Sequence, residues 1–491
     1  MFKRMFQTVD LTKGKIWQVI SIFALPILLS YLLQQIYTIS DAAICGWFLN
    51  SNQVAGVNNT SNITYIVLQF AFGCTAGFSV VSANKIGHGD TEGARKSLLV
   101  QIILSAIISI ILTIVAILCI GLLLKFIGLS KEANEEIYNS AYIYTFIIFL
   151  GTAAQVFYNL ACSFLRSLGN SVMPLLFLLF STILNIVLDI LFIGPFKMGV
   201  AGAAIATVLA QALSAILSFI YIFVKLKEYR FHKADFKFPK GYIKKHLVLG
   251  LPLAFQFSIL AIGLIVMQAT TIKFDIMPDG TLSYESQLGY GAACKLNNFL
   301  MTPFNALGTA MLSYCGQNGG SGNYKRLRSG IKQSYLIMLV LYVVFAGVGL
   351  LLTIKGAYLY IFLSKDKIND LTIKYGNLYL RTVLPFYPIL GVLFILRNSL
   401  QGVEKPLFPF LAGVGELLAR TLSCLFLPAL ANGGPLDRSA SDLSYIITCA
   451  ADIFSWTFAC IPLVTGYLIF LKRSRNYENL SNLGQPQPQN N

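Results

Sequence analysis

Apolar residues fill this chain in blocks of about 20 or more, separated by short polar stretches, from near residue 16 to near residue 471. A helix rises 1.5 Å per residue, so each block is long enough to cross a hydrocarbon core of about 30 Å. The pattern predicts twelve transmembrane helices, at roughly 16–40, 55–82, 98–124, 138–164, 172–194, 199–224, 247–272, 287–314, 333–354, 376–400, 407–430 and 444–471. Most connections are short, with longer ones near 225–246, 273–286, 355–375 and 431–443. The predicted fold class is an all-α polytopic membrane protein.

The two halves echo one another in order. "SLGNSVMP" (167–174) parallels "SLQGVEKP" (399–406), and "YNSAYIYT" (138–145) parallels "YGNLYLRT" (375–382). "ALP" (24–26) and "GLP" (250–252) open the first and seventh blocks, and glycine-containing basic stretches follow the second and eighth. Six spans is an even number, so both halves enter the membrane in the same sense. The expected architecture is two six-helix bundles related by a pseudo-two-fold axis along the membrane normal, with a cleft between them. The bundles comprise residues 1–230, with a basic cytoplasmic linker starting near 225, and residues 231–491, with a short cytoplasmic tail.

Composition sharpens the class. Of 491 residues, 56% are hydrophobic and 12% charged, against about 25% charged in soluble domains. Lys and Arg number 25 in the segments on the N-terminal side of the membrane and nine in the opposite loops. That excess marks the cytoplasmic side and predicts a multi-pass protein of the cell membrane with both termini inside. The net charge of +16 then reports topology and contact with the anionic lipid bilayer. A nucleic-acid partner would need a soluble basic domain, and none is visible. Nine cysteines stand singly, without metal or disulfide spacing. His88, His232 and His246 fall in predicted cytoplasmic loops and form no metal-ligand set. No nucleophile elbow or phosphate-binding loop appears, so neither enzymatic function nor a cofactor is expected. The N-terminus lacks a signal-peptide core, so the first span is expected to be retained.

A few polar residues interrupt the apolar blocks. Asp41 stands in the first with no basic neighbour, at an insertion cost of roughly 2.5–3.5 kcal/mol. Asn185 and Asp189 share one face of the fifth block, one helical turn apart. Thr207 lies about two turns into the sixth. Their positions put all four in the outer half of the first bundle, an oxygen-rich set suited to a monovalent cation or a proton. Asn185 and Thr207 alone would equally serve as helix–helix hydrogen-bonding groups. Gln34 and Tyr37 share the face of Asp41 and either tune it or pack against neighbours. Pro26 breaks the first helix's hydrogen-bond ladder, giving a bend or a fixed kink. The second half carries Glu416 and Arg420 four residues apart, Asp452 on the last span, and Lys295, Arg381 and Arg397. Glu416 and Arg420 read as an internal ion pair. The competing reading gives Glu416, Arg420, Asp452 and Lys295 to a substrate cavity.

"ALPILLS", Asp41, the basic loop at 83–97 and "FLRSLGNSVMPLLFLLFSTILNIVLDILFIGPFKMGVAGAAIAT" (164–207) together resemble the multidrug and toxic compound extrusion (MATE) family of secondary transporters, bacterial type. "GQNGGSGNYKRLRSG" (316–330) and "RNSLQGVEKPLFPFLAGVGELLAR" (397–420) extend the resemblance over about residues 15–470. It implies a cation-coupled antiporter, driven by H⁺ or Na⁺, that exports small molecules by alternating access as a monomer. It implies that Asp41, Asn185, Asp189 and Thr207 form the coupling-ion site, and that the first helix bends as this site changes protonation. The 63 aromatic residues suit an amphipathic cationic substrate through cation–π contact, without identifying it. The rival within the same superfamily is a flippase for lipid-linked saccharides, whose cavity would be lined with Arg and Lys, and Lys295, Arg381 and Arg420 keep that reading open. A membrane-embedded enzyme is the remote alternative.

Overall fold

In the computed structural model, which describes residues 8–132 and 134–482, the chain is helical throughout. Among the described residues the one extended pairing is an isolated bridge between Ile276 and Leu282. Lys3 and Arg4, which contribute to the charge asymmetry, and the end of the C-terminal tail lie outside the described residues.

The first half contains α1 (Ile16–Phe48), α2 (Ser51–Gly87), α3 (Thr91–Phe126), α4 (Glu135–Leu150), α5 (Thr152–Ser167), α6 (Val172–Ile193) and α7 (Gly199–Lys225). The second contains α8 (Tyr242–Ile272), α9 (Glu285–Gly320), α10 (Tyr324–Leu352), α11 (Asp370–Val383), α12 (Tyr387–Gly402), α13 (Leu407–Asn432) and α14 (Asp442–Asn482). Helices α11 and α12 join through a 3₁₀ turn at Leu384–Phe386 and form one span. Among the described residues ten segments are long and apolar enough to cross a membrane, and α4 with α5, bent by 47°, makes an eleventh. The twelfth is α9, 36 residues long, whose middle carries Lys295, Asn297, Asn298, Thr302 and Asn305. The chain is thus a polytopic all-α protein with twelve spans in two sets of six.

Local chemistry sets the helix ends. Asn50 caps α2 by accepting from the Gln53 amide at 2.9 Å, while the Gln53 side chain accepts from the Asn50 amide at 3.3 Å. Asp90 caps α3 through the Gly93 amide at 2.7 Å and pairs with Lys85 at 2.9 Å. Gly433 ends α13 in the left-handed conformation that glycine adopts without strain. Gly151 divides the fourth span, and the space beside it admits no side chain. A Cβ there would lie 2.2 Å from Cγ2 of Val208 on α7, so only glycine lets α7 approach this closely.

The described residues form two compact units. One holds those up to Ser258 with Ser313–Asn323 and Gln401–Glu404, and the other holds Ile259–Leu312, Tyr324–Leu400 and those from Lys405 on. In the first unit α6 packs between α1 and α7, while α2 packs on α3, α4 and α5. In the second, α13 lies along α14, which also meets α11.

One sequence expectation is corrected here. His246 lies not in a loop but inside the first turns of α8, fully buried. Its Nε2 is 2.8 Å from Ser97 Oγ, and its Nδ1 is 2.9 Å from the Tyr242 carbonyl. The helix begins five residues earlier than the apolar block, with Ile243 and Lys244 exposed on its first turn and His246 turned inward.

Candidate functional site

Helix α1 runs to Phe48 rather than stopping near residue 40, so Asp41 sits well inside it. Tyr37, Asp41 and Cys45 follow at four-residue intervals along one face of α1. Helix α6 packs against that face and brings Asn185 and Asp189, both fully buried. Thr207 enters from α7. The Tyr37 hydroxyl lies 3.4 Å from Thr207 Oγ1, and Asn185 Nδ2 lies 3.5 Å from the same oxygen. Both contacts are at the long end of hydrogen bonding.

The carboxyls of Asp41 and Asp189 face each other within interaction range. Both oxygens of Asp189, Oδ1 of Asp41 and Oδ1 of Asn185 are buried and accept no hydrogen bond among the described residues. On the same helices Ile44, Cys45, Ile193, Val200 and Ala203 form a buried apolar cluster, joined by Leu49 just past α1. Two carboxylates held together in such surroundings cannot both stay ionised and unpaired, because desolvation and mutual repulsion add. The arrangement requires a proton or a cation. Four oxygen-bearing side chains from three helices converge, the hard-ligand set that suits Na⁺ as well as H⁺. Among the described residues no group of three or more His, Cys, Asp or Glu could hold a metal ion.

The structure also gathers residues that sequence reasoning passed over. Tyr144 on α4 is close enough to feel both aspartates electrostatically, as is Cys45. Tyr144 belongs to "YNSAYIYT", but among 24 tyrosines nothing local singles it out. Gln34 is exposed and makes no side-chain hydrogen bond to these groups among the described residues; its carbonyl accepts from Thr38 Oγ1 at 3.1 Å. Pro26 is buried in α1, and its carbonyl accepts from Ser30 Oγ at 2.8 Å.

The second unit carries a different cluster. Arg397 Nη2 meets Glu416 Oε2 at 2.5 Å, and Arg420 reaches Asp452 Oδ1 at 3.0 Å. The Glu416–Arg420 contact expected from their spacing is present but longer, at 3.4 Å. Tyr379 donates to Asp452 Oδ2 at 3.0 Å, and Arg420 Nη2 donates to Ser455 at 3.0 Å. Two guanidiniums thus neutralise two carboxylates. Lys295 stands apart: it is exposed on α9 and makes no ion pair or hydrogen bond among the described residues. Arg381, also exposed, donates to Thr353 Oγ1 at 3.2 Å.

The chain is similar over 394 residues, at 28% identity, to a probable multidrug resistance protein, YpnP, of Bacillus subtilis, covering 80% of this chain and 84% of that one. It is 24% identical over 394 residues to a probable multidrug resistance protein, NorM, of Thermotoga maritima, covering 79% and 80%. In fold it matches an outward-facing multidrug resistance MATE family transporter of the MOP superfamily, with a TM-score of 0.80 at 21% identity over 94% of this chain and 98% of that one. The MatE family model matches residues 26–191 and 280–425, which take in Asp41, Asn185, Asp189, Glu416 and Arg420. On that match the chain belongs to the MatE family of membrane transporters.

Proposed function

We propose that this protein is an ion-coupled exporter of small amphipathic molecules, residing in the cell membrane with both termini cytoplasmic and working as a single chain by alternating access. The observation that carries the reading is the meeting of Asp41 and Asp189, on separate helices, with no donor to either Asp189 oxygen among the described residues. Without an ion the two carboxylates repel and favour separation of α1 from α6. A proton or Na⁺ between them removes the repulsion and favours closure. The separation of two packed helices is thereby tied to ion occupancy. Pro26 supplies a point in α1 where the backbone ladder lacks a hydrogen bond and bending is cheap. Substrate binding and ion binding compete if they favour opposite arrangements of the unit, so that uptake of one drives release of the other, which is the thermodynamic content of antiport. Asp41, Asn185, Asp189 and Thr207 hold the ion in this reading, and Tyr37 steadies Thr207.

The second unit supports the same assignment by contrast. Its buried carboxylates Glu416 and Asp452 are matched by Arg397 and Arg420, and Asp275 lies beside Arg438, so among the described residues it has no uncompensated acidic pair to bind a coupling ion. Because both arginines are engaged, they also do not offer the unpaired cationic lining that a pyrophosphate-bearing flippase substrate would need.

The test is efflux of an amphipathic dye cation from proteoliposomes, driven first by an imposed pH gradient and then by an imposed Na⁺ gradient. One gradient is expected to drive efflux. Asp41→Asn and Asp189→Asn are each expected to abolish coupling, with the double variant no worse than either single, since groups sharing one ion act as a unit. Wild-type ion-to-dye stoichiometry in Asp41→Asn would show that the aspartate only bridges helices. Scrambling of lipid-linked saccharides without dye efflux would replace export by flipping.

A further inference from the structure

On the lateral face of the first unit, α5 and α7 leave an apolar groove unused by the reading above. Its two lobes enclose about 580 and 600 Å³ and share Phe157, Phe219 and Phe223. Alanines at 153, 154, 212 and 215 give the groove its depth. Phenylalanines form its wall: Phe157 and Phe219 meet edge to face at 6.0 Å, Phe219 and Phe223 stack at 6.0 Å, and Phe223 meets Phe231 at 5.1 Å. From Ala212 to Val224 the groove follows α7 for about 18 Å at 1.5 Å per residue. One leaflet's share of a bilayer core of about 30 Å is about 15 Å, so the groove is as long as one acyl chain.

At its end stands Arg230, just beyond the last turn of α7 and therefore at headgroup depth. Its Nε donates to the Phe223 carbonyl at 2.6 Å, which fixes the guanidinium over the mouth. Its two terminal nitrogens make no hydrogen bond among the described residues. An oriented guanidinium with both terminal groups available matches a phosphate. We propose that this groove binds one anionic phospholipid, with an acyl chain along the phenylalanine wall and the phosphate on Arg230. A cationic amphiphile would meet Arg230 as a like charge, and a zwitterionic lipid would bring a compensating cation to the same spot.

Native mass spectrometry of the purified protein in detergent tests this, with palmitoyl-oleoyl phosphatidylglycerol or phosphatidylcholine added at equal concentration. One phosphatidylglycerol is expected to be retained at least about fivefold more tightly than phosphatidylcholine, the factor corresponding to ~1 kcal/mol per basic side chain at an anionic surface. Arg230→Gln is expected to bring the two lipids to parity. Ala212→Phe, at a partly exposed position, is expected to abolish the one-lipid complex with either headgroup by filling the groove. Equal retention of the two lipids by the unaltered protein would overturn the proposal, as would a preference that survives Arg230→Gln. A one-lipid complex surviving Ala212→Phe, or a dimer formed through this face, would also overturn it.

Discussion

Replacing Glu416 by Gln removes one negative charge from a buried cluster of four and leaves shape nearly unchanged. Glu416, Arg397, Arg420 and Asp452 have side chains 7% exposed or less. Arg420 keeps Asp452 at 3.0 Å and Ser455 at 3.0 Å in the variant. Arg397 loses its carboxylate partner. Breaking a buried ion pair by removing one side costs about 3–5 kcal/mol, and the retained amide oxygen favours the lower end, about 3 kcal/mol. In a unit of this size each kcal/mol moves the melting temperature by about 2–4 °C. A fall of about 6–12 °C is therefore expected. A thiol-reactive fluorogenic dye reads it, because six of the nine cysteine thiols are buried until the protein unfolds. Arg397→Gln with Glu416→Gln removes both charges and is expected to melt above Glu416→Gln alone. Ion-to-substrate stoichiometry is expected to persist in both. The reasoning fails if Glu416→Gln melts with the wild type, or if the double variant loses the sum of the two single losses.

Other outcomes follow from the first unit and the loops. Thr207→Val removes the hydroxyl that Tyr37 and Asn185 approach at 3.4 and 3.5 Å; losing about 1 kcal/mol predicts an approximately fivefold higher ion concentration for half-maximal efflux. Gly151→Ala places a Cβ 2.2 Å from Val208, an overpacking cost of about 1–3 kcal/mol that a second change, Val208→Ala, is expected to relieve in thermal unfolding. Arg95 donates to Asp235 at 2.7 and 3.0 Å and holds that carboxyl below the usual carboxylate range. A depressed folded value stabilises the pair above the unfolded pKa of about 3.9 and loses that stability as pH falls through the folded value. Hydrogen-exchange protection around Asp235 is therefore expected to hold at pH 5–7 and collapse only below about pH 4, and to be lost at every pH in Arg95→Gln. Cysteines introduced at the exposed Lys131 and Asp279 are expected to label from outside the cell, and those at Lys237 and Lys325 only after permeabilisation; the reverse would invert the orientation and with it the direction of transport.

Hydropathy alone determined that the chain crosses a membrane repeatedly, because about 20 apolar residues in a row have no other economical environment. It also located Asp41, Asn185, Asp189 and Thr207, since a polar group in an apolar block is visible without any knowledge of packing. Even the pairing of Asn185 with Asp189 follows from helical periodicity. Their meeting with Asp41 does not: it depends on α6 lying between α1 and α7, a choice made by side-chain packing among residues more than a hundred positions apart. The same holds for Tyr144, for the burial of His246 against Ser97, and for Gln34, which shares the helix face of Asp41 by count but remains exposed. In the second half, spacing suggested Glu416 with Arg420, while the tertiary fold gave Glu416 chiefly to Arg397 and Arg420 chiefly to Asp452. Local spacing fixes which groups can meet along one helix. Only the packing of helices decides which groups meet across them, and buried charges take the partners whose geometry is shortest.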